Sequence, residues 1–286
     1  MLKVGFIGLG AMGRPISLHL LRHGYPLGVY GRRPETTRPI VDAGAAAYDS
    51  PAALGEACEV VITMVTSTED VEAVLLGPGG AAERASRGTT FVDMSTISPA
   101  ATVAIGEALA ARGLSFVDAP VSGGPMGAEK ATLTIMAGGG AAALERVTPI
   151  LECVGTIFHV GATGAGQTTK ACHQLVLLMN AEAAAEGLAL AARCGLDPTL
   201  VREVMLRGLA SSRVLDLFGD RMARRAFEAG IPVRLYEKDL GFVADTAARV
   251  GQPLPAMAIV ESHLRSLMAR GDGHKDLSVL IEMLER

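Results

Sequence analysis

Gln167, Lys170, His173 and Gln174 recur at three- and four-residue intervals in the stretch GQTTKACHQLVLLMN. At about 100° per residue these positions share one side of an α-helix. After Lys170 the other positions are nearly all apolar, among them Ala171, Cys172, Leu175, Val176, Leu178 and Met179. Such a helix is apolar nearly all round, with one narrow polar stripe. A lysine near a helix N-terminus is opposed by the macrodipole, and burial also disfavours its charge. Both effects lower its pKa toward working pH, the direction a general acid–base catalyst needs. The alternative is a lysine whose aliphatic stem carries the ammonium out to solvent. Local sequence leaves these two readings level.

A second signature opens the chain. VGFIGLGAMG places Gly8, Gly10 and Gly13 in a G-x-G-x-x-G directly after a strand-like run, with Leu9, Ala11 and Met12 in between. Glycines at this spacing allow a tight turn, close approach of a pyrophosphate and tight helix–strand packing. The following helix supplies N–H groups and the positive end of its dipole. At the end of the second strand, VYGRRPE puts Gly31, Arg32 and Arg33 where NAD sites usually place an acid. Guanidinium groups suit a 2′-phosphate, so NADP is favoured over NAD. A solvated turn is the plain alternative for the two arginines.

Three more stretches follow strand-like runs. ITMVTST places Met64 and Val65 at one strand end, VDMSTISP places Ser95 and Thr96 at the next, and VDAPVSGGPMGA offers Ser122, Gly123 and Gly124 after a third. In open α/β sheets, ligands bind beyond the carboxyl ends of the strands. The hydroxyl and flexible N–H groups of Ser122-Gly123-Gly124 suit a carboxylate, although a simple turn has the same composition. RLYEKDLGF presents Lys238 and Asp239 early in a helix, by default a solvated ion pair. His19 and His23 lack the H-E-x-x-H pattern, and no metal site is expected.

The elements that must position these groups come in two blocks. Strands are expected at Lys3–Ile7, Leu27–Tyr30, Val60–Met64, Thr90–Asp93, Ser115–Asp118, Leu133–Ala137 and Ile157–His159, with helices between most of them. This alternation argues for a mainly parallel sheet covered on both faces. HVGATGAGQ is a Gly-rich joint, and almost no strand follows it. A long helix is expected from about Gln167 to Arg193, then helices at Pro198–Arg207, Arg213–Arg225, Tyr236–Val250, Pro255–Arg270 and Lys275–Glu285. The boundary is placed so that residues 1–162 form the α/β domain and 163–286 an all-α domain, joined by the long helix.

Composition sets the outer limits. The 286 residues are 49% hydrophobic and 20% charged, enough for a large core and unlike a disordered chain. A net charge of -4 offers no basic footprint for nucleic acid. Cys58, Cys153, Cys172 and Cys194 are widely separated, without CxxC, as in a reducing cytosol. The N-terminus shows no signal-peptide pattern, so a cytoplasmic location is expected. The most apolar span, residues 175–192, contains Glu182 and Glu186, which would cost roughly 5 kcal/mol or more to insert in a membrane.

GLGAMG, DMSTISP, DAPVSGG, GAGQTTK and EKDL occur in this order along the whole chain. Together they resemble the β-hydroxyacid dehydrogenases, the group that includes 3-hydroxyisobutyrate dehydrogenase, tartronate semialdehyde reductase and L-threonate dehydrogenase. The resemblance implies a Rossmann domain, a helical domain, an active site in the cleft between them, and dimers or tetramers built through the helical domains. It implies hydride transfer between a nicotinamide and a small β-hydroxy acid or its semialdehyde, with Lys170 as general acid–base. Ser122, Gly123 and Gly124 would hold the substrate carboxylate, Thr96, Met64 and Val65 would lie on the nicotinamide side, and Lys238 would close over both, supported by Asp239. Many members place Asn at the position of His173. His173-Gln174 resembles the L-threonate branch instead, and RGLASSRVLD and GHKDLSVLIEMLE resemble the tartronate and threonate branches. Imine reductases share the architecture but usually replace the lysine, and non-catalytic relatives also lose it; Lys170 argues against both.

Overall fold

The computed structural model describes every residue except Ala229 and Arg286. Its contacts divide it into two compact units, Met1–Lys170 and Ala171–Arg286. The division falls within the long helix rather than at the Gly-rich joint.

The first unit is built on a nine-stranded sheet. In chain order it runs β1 (Val4–Ile7), α1 (Gly13–Arg22), β2 (Leu27–Tyr30), α2 (Pro34–Val41), β3 (Ala46–Ala47), α3 (Pro51–Ala57), β4 (Val60–Thr63) and α4 (Thr68–Leu75). It continues with β5 (Thr90–Asp93), α5 (Pro99–Ala110), β6 (Ser115–Asp118), β7 (Val121–Ser122), α6 (Gly124–Glu129), β8 (Leu133–Gly139), α7 (Ala141–Leu151) and β9 (Gly155–Gly161). The sheet order is β3-β2-β1-β4-β5-β6-β8-β7, with β9 also pairing β8. The strands from β3 to β6 are parallel, and β8 runs antiparallel to β6 and β7. The order reverses at β1, which lies between β2 and β4 and creates the switch point where such sheets bind ligands.

Every residue of β1, β4 and β5 is buried. Central parallel strands carry helices on both faces, which is why their sequences read as continuous apolar runs. One core cluster includes Phe6, Ile16, Val29 and Ile62, and another includes Leu54, Val61, Phe91 and Leu109. Helix starts follow local chemistry. Ser50, Ser67 and Ser98 accept bonds from Ala53, Asp70 and Ala101 N–H groups, and Pro51 and Pro99 stand at the first helical position.

The long helix α8 (Ala165–Arg193) passes from the first unit into the second. The second unit continues with α9 (Pro198–Arg207), α10 (Arg213–Arg224), α11 (Val233–Val250) and α12 (Met257–Ala269). By length and composition α8 could cross a membrane. Leu178, Ala181, Ala185 and Leu188 are buried in the second unit's core, with Phe218, Tyr236 and Leu264.

Several boundaries differ from the sequence expectation. β3 and β7, two residues each, are too short to leave a pattern. α11 begins at Val233, three residues before the expected Tyr236, with Val233 itself fully buried. The expected helix Lys275–Glu285 is instead a 3₁₀ segment, Leu277–Met283. Leu277, Val279, Leu280 and Ile281 are all buried, a run no single face of a surface α-helix accommodates. Asp276 starts this segment by accepting bonds from the Ser278 N–H and hydroxyl at 3.0 and 2.6 Å.

Candidate active site

Parallel register brings the carboxyl ends of the central strands into line. Ile7 pairs with Thr63, Thr63 with Asp93, and Asp93 with Asp118. The loops leaving these ends carry most of the residues singled out from the sequence.

Gly8 has a φ of +99°, and a Cβ there would overlap the Met64 carbonyl. A Cβ on Gly13 would overlap the Gly8 carbonyl oxygen. Gly10 is exposed, and no atom lies within 4 Å of where its Cβ would sit. Gly8 and Gly13 therefore answer to the protein itself, and Gly10 keeps a face open. Ala11 is exposed, Met12 half-buried and Leu9 buried. α1 begins without a side-chain cap and without an acid in its first turn. Its leading N–H groups suit the pyrophosphate of a dinucleotide. The donor set and the open glycine thus fit NAD(P).

Gly31, Arg32 and Arg33 follow β2 directly. The side chain of Arg32 is 80% exposed, 3.7 Å from Asp70, and that of Arg33 is 73% exposed, 3.8 Å from Glu35. Exposed pairs of this kind are worth about 0–1 kcal/mol, so both guanidinium groups can turn to a ligand at little cost.

Met64 and Val65 are half-buried after β4. The Val65 N–H donates to Ser95 Oγ at 2.9 Å, so the Ser95 hydroxyl, almost fully buried, holds two loops together. Thr96, next in the chain, is half-buried. Asp93 Oδ1 accepts bonds from Thr63 Oγ1 at 2.7 Å and Ser95 N at 3.1 Å, while its Oδ2 has no partner. Asp93 is fully buried, and desolvation pushes its carboxyl up to about 6. Asp118 is also raised by burial, opposed by backbone N–H groups at the start of α8.

Lys170 is 7% exposed, and its ammonium donates to the Val121 carbonyl at 2.9 Å. It does not run out to solvent. Val121 immediately precedes Ser122, Gly123 and Gly124. That stretch is the end of β7 followed by the first turn of α6, with φ of +130° and +60° at the two glycines. Gly123 and Gly124 stand at the start of α6, where N–H groups have no intrahelical partner.

In the second unit, four predicted residues form one chain of contacts. His173 Nδ1 lies 3.0 Å from Gln174 Oε1, and Gln174 Nε2 donates to Asp239 Oδ2 at 2.6 Å. Since the Gln174 oxygen only accepts, His173 carries its proton on Nδ1. Lys238 Nζ is 3.2 Å from Asp239 Oδ1, within ion-pair distance although not aligned as a hydrogen bond. The Lys238 ammonium also sits 5.1 Å from the centre of the Phe242 ring. With side chains 24% and 9% exposed, Lys238 and Asp239 are not the solvated pair that their local sequence suggests. Among the described residues no group of three His, Cys, Asp or Glu could hold a metal ion.

Residues 3–164 match the family described as the NAD-binding domain of 6-phosphogluconate dehydrogenase. Residues 164–284 match the family described as NAD-binding of NADP-dependent 3-hydroxyisobutyrate dehydrogenase. The 2-hydroxy-3-oxopropionate reductase of Escherichia coli is 38% identical over 289 residues, covering 99% of this chain and 97% of that protein. The chain belongs to the β-hydroxyacid dehydrogenase family. As a β-hydroxyacid dehydrogenase it is an NAD(P)-dependent oxidoreductase. A 3-hydroxyisobutyrate dehydrogenase structure from Salmonella typhimurium superposes with a TM-score of 0.91 at 31% identity, covering 99% of this chain and 100% of that one. The Mycobacterium tuberculosis 3-hydroxyisobutyrate dehydrogenase with L-serine gives a TM-score of 0.90 at 30% identity, covering 100% of both chains. An imine reductase from Pseudomonas sp., 22% identical with a TM-score of 0.61, shares the fold alone; it covers 99% of each chain.

Asp93 and Asp118 escape a motif reading of this β-hydroxyacid dehydrogenase, although both are in plain view as VD before MS and before AP. The signal is an acid ending an otherwise apolar run. Asp93 also yields a test. Its carboxyl titrates at about 6 in the folded protein against an ordinary 3.8. Between these values the folded state holds a proton that the unfolded chain has lost, so stability falls as pH rises through that window. Asp93→Asn removes this titration. On going from pH 7 to pH 4.5, wild type should gain more stability in urea, or lose less, than Asp93→Asn, with linkage bounding the difference at roughly 3 kcal/mol. Equal responses in the two proteins would refute the assignment.

Proposed function

We propose that this enzyme reduces a short semialdehyde, or oxidises the matching β-hydroxy acid, using NADP in preference to NAD and Lys170 as the proton-transfer group. One observation carries the reading. The buried Lys170 ammonium meets the carbonyl immediately before the Ser122-Gly123-Gly124 loop, so an acid–base group and a carboxylate cradle adjoin.

When bound, the nicotinamide supplies the carbon that accepts or gives the hydride. The chain does the rest. N–H groups of Gly123 and Gly124, with the Ser122 hydroxyl, hold the carboxylate and so orient the alcohol carbon. Lys170 takes the hydroxyl proton in oxidation and returns it in reduction. Thr96, Met64 and Val65 support the ring from the strand ends, and Arg32 and Arg33 take the 2′-phosphate. The likeness to the E. coli reductase supports a three- or four-carbon substrate of the 2-hydroxy-3-oxopropionate type.

We also propose self-association through the second unit. α9 has no buried residue, yet it carries Leu200 and Val204, 59% and 65% exposed, on one side. Val176 and Leu190 of α8 and Leu196 of the connecting turn are exposed as well. Apolar surface of this extent marks a contact surface.

Three measurements test these points. Lys170→Ala should lower kcat by roughly 10²- to 10⁴-fold with 2-hydroxy-3-oxopropionate while NADP still binds; unchanged turnover sinks the mechanism. The double variant Arg32→Ala/Arg33→Ala should raise KM for NADP roughly tenfold or more and leave KM for NAD nearly unchanged. A wild-type preference for NAD would contradict the cofactor reading. Leu200→Asp with Val204→Asp should shift the molecular mass by light scattering toward a single chain, and wild type that already runs as a single chain excludes the oligomer.

A further inference from the structure

Gln167 lies one turn before Lys170 on α8 and is 1% exposed. Its amide is engaged at both ends. Nε2 donates to the Ser95 carbonyl at 2.7 Å, and Oε1 accepts from the Ile97 N–H at 3.2 Å. A primary amide meeting one carbonyl and one N–H two residues apart copies a backbone pairing, so it fixes both the distance and the orientation of the loop. The Gln167 backbone N–H donates to Asp118 Oδ2 at 2.9 Å, and the Gly164 N–H donates to Oδ1 at 2.8 Å. The start of α8 is therefore fastened to the end of β6, and its Gln167 side chain to the loop after β5. That same loop is held from the other side by Val65 N–H on Ser95 Oγ.

We propose that Gln167 is a positioning residue that locks the Lys170 helix to the Ser95–Thr96 loop, so that the proton-transfer group and the nicotinamide-side backbone keep one fixed separation. The proposal rests on the role given to Lys170 and Thr96 above and extends it to a residue that touches neither substrate nor cofactor. An amide is required because one partner is an acceptor and the other a donor. A carboxylate could still accept from Ile97 but would set an anion against the Ser95 carbonyl, near the buried acids Asp93 and Asp118. A protonated carboxyl restores the donor.

Gln167→Glu exploits this difference. Its kcat relative to wild type, measured with 2-hydroxy-3-oxopropionate and NADPH, should stand near unity at pH 6 and fall at least tenfold by pH 9. KM for NADPH should change by less than about threefold, because binding is not the property held. A ratio that is flat with pH overturns the proposal, whatever its level. Gln167→Met keeps the bulk without charge and covers the case in which the Glu variant does not fold at high pH. It should lose tenfold or more in kcat at every pH, and wild-type kcat in this variant also overturns the proposal. A merely structural role would lower the melting temperature without a pH-dependent kcat. Placed in a Lys170→Ala background, Gln167→Met should cost little more. An active Lys170→Ala enzyme defeats the function reading and with it the role given to Gln167, whereas an inactive one combined with fully active Gln167→Met defeats this proposal alone.

Discussion

A buried carboxylate and an uncapped helix end are each costly alone, and here each satisfies the other. Asp118 is fully buried at the end of β6. Its two oxygens receive N–H groups from Gly164 and Gln167, the first donors of α8. The carboxylate recovers the hydrogen bonds that burial removed, and the helix finds partners for its orphan N–H groups. Close approach is possible because Gly166 has no side chain, since a Cβ there would come within 2.7 Å of Asp118 Oδ2. With the first turn fixed, Lys170 follows by helix geometry and reaches Val121. The site thus hangs on one strand-to-helix contact.

The neighbouring carboxylate shows a different balance. Asp93 holds Thr63 and Ser95 in place but leaves Oδ2 unsatisfied in a fully buried setting. At neutral pH this arrangement weakens the fold. Local rules of polar satisfaction are commonly broken where a protein does chemistry, and the break falls beneath the loop that bears Thr96. The outlying parts of the site are looser. Arg32 and Arg33 are solvated side chains with weak partners.

Much of this arrangement was legible in the sequence, for identifiable reasons. β2, β5 and β6 match their expected bounds because buried parallel strands are unbroken apolar runs stopped by turn residues. α9 matches because Asp197 and Pro198 mark its start and Gly208 its end. The G-x-G-x-x-G, the arginines and the Ser122 loop lie at strand ends, as their order required. The expected start of α8 falls two residues late, since its cap comes from Asp118, 46 residues before Gly164. Asp93 and Asp118 show in the sequence as acids that close apolar runs, but the N–H partners of Asp118 lie 46 and 49 residues away and do not show there. The contacts of Lys238 and Asp239 depend on Gln174, 65 residues before Asp239, and were equally out of reach.

The three glycines of the first loop are held by different judges. Gly8 and Gly13 are policed by the fold, because any side chain there collides with the chain's own backbone. Gly10 faces open space, so folding is indifferent to it. A mutation at Gly8 or Gly13 would be removed as an unstable protein, visible to every quality-control protease. A Cβ at Gly10 meets no atom of the chain, so its cost would fall on whatever approaches the loop from outside. Folding therefore checks drift at two positions of this loop, and at the third only what the loop meets from outside does.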